Sequence, residues 1–174
     1  MRYLLDKGLL RRYAEGLDNS ANNVRLTVEQ RDAIYLFNLV PTESLFAAKE
    51  SLNLLDRHAP PVVTASIRTR LRLIIPTKYQ RRWSRRLREQ FGFGREDAHI
   101  VALATFGMDE QNTILGTDAL VTYDLRLIER YDKHLSEIQA KLRLMTCQLN
   151  FPYNNAILPE LSMPRDVLSL FSYP

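Results

Sequence analysis

The stretch Tyr3-Leu4-Leu5-Asp6-Lys7-Gly8 decides how the chain is read. The apolar run from Arg2 to Leu5 is too short for a helix and ends in an acid and a glycine turn, which predicts a buried strand. A helical pattern follows over residues 7–16, with Gly16 as a stop. The same figure recurs further along. Ser44 to Ala48 is apolar and runs into Lys49-Glu50 and a helix to about Arg57; Arg72 to Ile75 is closed by Pro76; Ala119 to Tyr123 ends at Asp124 and leads into a short helix to about Tyr131. Short strands that are apolar throughout and alternate with helices predict an α/β fold with a parallel sheet covered on both faces.

The intervening segments support that reading. Thr27-Val-Glu-Gln30 is a capping box opening a helix to about Leu39, and Pro41 ends it. From Thr77 to Phe91 the stripe Tyr79, Trp83, Leu87, Phe91 recurs every four residues, predicting an amphipathic helix with an arginine-rich outer face. Gly92 and Gly94 make a turn, and Glu96 to Phe106 is a strongly apolar helix. Residues 17–26 read as loop and residues 62–70 fit no single pattern. Leu135, Ile138, Leu142, Met145 and Leu149 predict a further helix whose heptad-like spacing leaves a homodimer open. The proline-bearing tail from Phe151 to Pro174 is expected to wrap the domain, with an edge strand near Ile157.

A chain of 174 residues, 45% apolar and 25% charged, buries one sizeable core, so one domain is expected. The single cysteine, Cys147, excludes an internal disulfide framework and is expected to be buried. No apolar run has the length of a membrane span or a signal core, which makes the cytoplasm the expected location and a membrane an unexpected partner. The net charge of +4 is unevenly spread: residues 66–95 hold ten Arg or Lys against the one acid Glu89. On the helix there, Arg81, Arg82, Arg85, Arg86 and Arg88 form a candidate RNA-binding face, and Arg95 stands beside Asp97.

In an open α/β sheet, ligands gather beyond the carboxyl ends of the strands. Asp6, Glu50 and Asp124 each follow a predicted strand, and Asp97 lies in the first turn of a helix. Carboxylates gathered in one crevice repel each other unless a divalent cation joins them, and all-oxygen ligands suit Mg²⁺ or Mn²⁺. Taken singly, each acid also has a structural reading as a turn or cap residue. His58, His99 and His134 have no metal-ligand spacing, and His99 does not share a helix face with Asp97.

Four blocks together resemble the PIN domain, a nuclease fold found in many toxin–antitoxin ribonucleases. They are Tyr3-Leu-Leu-Asp6-Lys-Gly-Leu-Leu10, Phe46-Ala-Ala-Lys-Glu50, Arg95-Glu-Asp97-Ala-His-Ile-Val-Ala-Leu-Ala104 and Ala119-Leu-Val-Thr-Tyr-Asp124. The resemblance covers residues 1–131 and leaves 132–174 as a helical and extended C-terminal extension packed on the same domain. It implies a three-layer α/β/α architecture with strand order 3-2-1-4-5 and a Mg²⁺ or Mn²⁺ site. It also implies a metal-dependent endoribonuclease acting on single-stranded RNA, with a toxin role and an antitoxin protein as partner. By position, Asp6, Asp97 and Asp124 would be metal ligands. Glu50, with Glu43 as fallback, would be a ligand or orient a bound water, and Thr122 would support the last acid. Lys7 stands where the family has Ser or Thr. An ammonium among the acids would make the alternative a catalytically degenerate module that binds RNA or a partner protein.

Overall fold

The computed structural model describes residues 1–171, except for the side chain of His58, and is α/β. In chain order the elements are β1 (Tyr3–Leu5), α1 (Lys7–Ala21), α2 (Val28–Leu39), β2 (Leu45–Ala48), α3 (Lys49–His58), α4 (Pro61–Arg68) and β3 (Arg72–Ile75). There follow α5 (Lys78–Phe91), α6 (Arg95–Phe106), β4 (Met108–Asp109), β5 (Ala119–Val121), α7 (Leu125–Thr146), β6 (Glu160–Ser162) and α8 (Pro164–Ser169). The six strands form one sheet in the order β4-β3-β2-β1-β5-β6, parallel except for β4.

Strand pleating explains the two cores. Leu4, Phe46 and Leu120 point to one face and pack with Trp83, Leu87, Val101, Leu103, Phe106, Tyr131 and Ile138 from α5, α6 and α7. Their neighbours Tyr3, Leu5, Leu45, Ala47, Ala119 and Val121 point to the other face, against Leu9, Leu10, Tyr13, Leu36, Phe37 and Ile67 from α1, α2 and α4. Both faces are apolar because both are covered. Each fully buried Leu or Phe contributes about 1.5–3 kcal/mol.

Local chemistry sets the helix ends. Thr27 and Gln30 form a reciprocal capping box on α2, and Thr77 caps α5 through the Gln80 N–H. Gly92 ends α5 at φ +66, a conformation that side chains rarely adopt.

Several expectations are corrected. α1 runs on to Ala21 because nothing in residues 17–21 breaks it, and Gly16 lies inside the helix, buried close to Gln30 and Ile34. Residues 61–68, ambiguous by pattern, form α4 behind Pro61, a residue that fits a first helical position. The two helices expected on either side of residue 131 are one 22-residue helix, since neither Gly nor Pro interrupts Tyr131-Asp132-Lys133. The boundary drawn at 131 thus falls inside α7. Leu127, Tyr131, Ile138, Leu142 and Met145 form its buried stripe. Leu135 is exposed, and so is Cys147, at the helix end off that stripe. The edge strand is β6, three residues beyond Ile157, and pairs parallel with β5. Pro174 lies outside the described residues.

Residues 107–118 carry no helical or strand period in the sequence and are built around Asp109. Its buried carboxylate accepts from the Thr113 and Ile114 N–H groups at 2.7 and 2.8 Å and from Arg72 at 2.8 Å, closing the loop against β3. Among the described residues no helix is long and apolar enough to cross a membrane.

Candidate metal centre

Parallel register aligns the carboxyl ends of the central strands. Leu5 pairs with Ala47 on one side and Val121 on the other, so β1, β2 and β5 end level. Each is followed almost at once by a helix. Asp6 is the N-cap of α1, Glu50 lies in the first turn of α3, and Asp124 is the N-cap of α7. Asp97 lies in the first turn of α6. All four carboxylates line a single cleft of about 490 Å³. Four helix N-termini thus meet there and supply a partial positive potential, which favours anions.

Each acid has its own environment. Asp6 is half-buried, and Thr122 Oγ1 donates to its Oδ2 at 3.1 Å. Burial pushes the Asp6 carboxyl above the usual aspartate range, against the backbone N–H groups of Lys7 and Gly8, the Thr122 hydroxyl and the Lys7 charge. Thr122 itself is fully buried and accepts from the Asp124 N–H at 3.0 Å, so one hydroxyl ties the first acid to the last. Asp97 is also raised, by burial first and then by the negative charge of Asp124; Arg130, 3.7 Å away, offsets part of this. Asp124 is exposed, and one of its oxygens accepts from the Leu127 N–H at 3.1 Å. It therefore caps a helix and faces the cleft together. Glu50 is exposed and also lines the cleft. Glu43 sits in the turn Thr42–Ser44 before β2, at the far end of that strand, and does not line the cleft.

Lys7 also lines the cleft, and its charge acts on Asp6. Its ammonium pairs with Glu96 at the solvent-exposed rim, where Glu96 is held below the usual glutamate range by that contact. Gly94, the N-cap of α6, leaves room for Asp97: a Cβ there would stand 3.1 Å from Asp97 Oδ2.

Of the arginines singled out in the sequence, Arg88 and Arg95 line the cleft, whereas Arg81, Arg82, Arg85 and Arg86 do not. The lining also includes Ser84 and His99. Ser84 and Arg88 are four residues apart on one face of α5, a signal the sequence contained but one hidden by the length of the arginine run. His99 borders the cleft despite its offset from Asp97, and its Nδ1 stands 3.2 Å from Gln80 Nε2. His134 lies elsewhere, beside Phe91 and Glu137. Among the described residues no group of three or more His, Cys, Asp or Glu is gathered into a ready ligand set. The chemistry of the donors nonetheless fits a hard dication: they are carboxylate oxygens, with Asp6 raised by burial and Asp97 by burial and the charge of Asp124.

No family model, curated protein or solved structure matches the chain.

Proposed function

We propose that the chain is a PIN-like, metal-dependent endoribonuclease that cleaves single-stranded RNA at this cleft. The observation that carries the reading is the meeting of Asp6, Glu50, Asp97 and Asp124, from four separate elements, in one cleft. Asp6, Glu50, Glu96, Asp97 and Asp124 line the cleft against Lys7, Arg88 and Arg95, so its formal charge is negative. A dication is the natural compensation. On this reading the sheet from β3 through β2, β1 and β5 to β6 is the family's core, and β4 is an addition at its edge.

Asp6, Asp97 and Asp124 would hold Mg²⁺ or Mn²⁺, which when bound supplies an acidified water and charge stabilisation at a phosphodiester. Glu50 is exposed, and Asp124 is exposed while one of its oxygens caps α7. Thr122 keeps Asp6 and Asp124 in fixed relation through its two hydrogen bonds. Glu50 would be a further ligand or orient a metal-bound water. Ala48, Leu54, Ile100 and Leu127 supply the apolar part of the lining. The pairing of Lys7 with Glu96 favours this reading over a degenerate module, because the ammonium is committed at the rim. Incubating purified protein with single-stranded and duplex RNA tests it. Cleavage of the single strand with Mn²⁺, blocked by EDTA and by Asp6→Asn, is expected; no cleavage with Mn²⁺, or undiminished cleavage by the variant, would overturn it.

A further inference from the structure

We propose that Arg88 and Arg95 form a phosphate grip on the cleft wall, and that the RNA strand approaches along the Arg81–Arg85–Arg88 face of α5, leaving Arg82 and Arg86 uninvolved. This rests on the ribonuclease reading and adds to it the residues that hold the substrate and the direction it takes.

Three observations carry the inference. Arg88 and Arg95 line the acidic cleft while the other arginines of α5 stand off it. Neither side chain has an ion pair or hydrogen bond among the described residues, although acids face them: Asp97 is paired with Arg130, and Glu96 with Lys7. Arg2, Arg12 and Arg72 are engaged on Asp118, Glu15 and Asp109, whereas the other arginines of α5 also have no ion pair among the described residues, so the place in the cleft is what singles out Arg88 and Arg95. Two exposed and unneutralised guanidiniums beside a carboxylate cluster are set for an external anion. A diester phosphate, bound through a planar fork of donors, is the anion that also brings a scissile bond to the acids.

Helix geometry supplies the direction. At 3.6 residues per turn, positions 81, 85 and 88 share a face, and positions 82 and 86 share another. Arg86 borders a separate cleft of about 300 Å³ with Gln90, Lys141, Leu144 and Gln148, against α7. The run from Arg81 to Arg88 extends for about 10 Å, so the face can follow a strand and not only a point charge.

The test is fluorescence anisotropy with a labelled single-stranded RNA, using full-length protein carrying Asp124→Asn to prevent cleavage, across 50–200 mM salt. Each phosphate contact on a single strand contributes about 0.7 to the slope of log affinity against log salt. Arg88→Ala and Arg95→Ala should each lower that slope by about 0.7, so the fourfold salt increase weakens their binding about 2.6-fold less. Arg82→Ala and Arg86→Ala, of equal charge change on the same helix, should leave it unchanged. Arg88→Lys should keep the slope and lose affinity, which separates the phosphate contact from a folding defect. Equal losses for all four alanine variants, no loss at Arg88 and Arg95, or no RNA binding would each overturn the proposal. Cleavage by the wild-type chain is scored separately: RNA held by Arg88 and Arg95 but never cut would sink the nuclease reading and leave the grip standing.

Discussion

Replacing Asp124 with Asn separates the acid's two duties. The Leu127 N–H now bonds to Asp124 Oδ1 at 3.1 Å, and an Asn oxygen accepts the same bond. Asn and Asp are near equal as N-caps, so α7 should keep its start. What disappears is the charge that raises Asp97 and would help hold a dication. In EDTA the variant's Tm should therefore equal or exceed that of the wild type. With Mn²⁺ the order should reverse. A ligand that binds only the folded state at about 100 times its Kd adds about 2.7 kcal/mol. For a chain of this size, 1 kcal/mol moves Tm by about 2–4 °C, so the wild type should gain about 5 to 11 °C. Asp124→Asn should gain little. Differential scanning fluorimetry with and without Mn²⁺ measures both, with Asp132→Asn on the exposed side of α7 as the charge control. An equal Mn²⁺ shift in wild type and Asp124→Asn, or no shift in wild type at millimolar Mn²⁺, would refute the reasoning.

Gly94→Ala would place a Cβ 3.1 Å from Asp97 Oδ2 and push that carboxylate aside by a few tenths of an ångström; calorimetric Mn²⁺ affinity should fall while the EDTA Tm stays close to wild type. Gly116→Ala sets a side chain at φ +61 and 2.6 Å from the Ala104 carbonyl oxygen; chemical denaturation should show a loss of about 1–3 kcal/mol. The metal-free pH dependence has a defined sign. Asp6 and Asp97 bind protons more tightly folded than unfolded, so their contribution is full below about pH 4 and is lost as pH rises through their native values. Asp118 has the opposite sign: Arg2 holds it low, and its contribution is lost as pH falls. In EDTA, the Tm advantage of Asp6→Asn plus Asp97→Asn over wild type should thus grow between acid and neutral pH; an advantage that shrinks would contradict the assigned directions.

The sheet ends were legible because β1, β2, β3 and β5 are apolar runs bounded by acids, Pro or Gly, and burial on both faces leaves no other residue types there. The capping box of Thr27 and Gln30 was legible for the same local reason. β4 was not, since a two-residue strand has no period, and its place depends on the Asp109 carboxylate gathering its near neighbours Thr113 and Ile114 together with Arg72 from 37 residues away. Asp6, Asp97 and Asp124 could be read from their positions after strands or at a helix start. Arg88 could not be told apart from its neighbours, because which face of α5 meets the cleft is decided by Trp83 and Leu87 packing into the core. Lys7 was open in the same way: its partner, Glu96, is 89 residues away.

The coupling of metal binding to cleavage is the most direct measure of the central claim. Initial rates of single-stranded RNA cleavage are followed as Mn²⁺ is titrated, beside the Mn²⁺ dependence of Tm on the same preparation. The account predicts that the rate saturates over the concentration range in which the site fills, and that Asp124→Asn abolishes both responses. Cleavage in EDTA, or cleavage retained by Asp124→Asn, would contradict it.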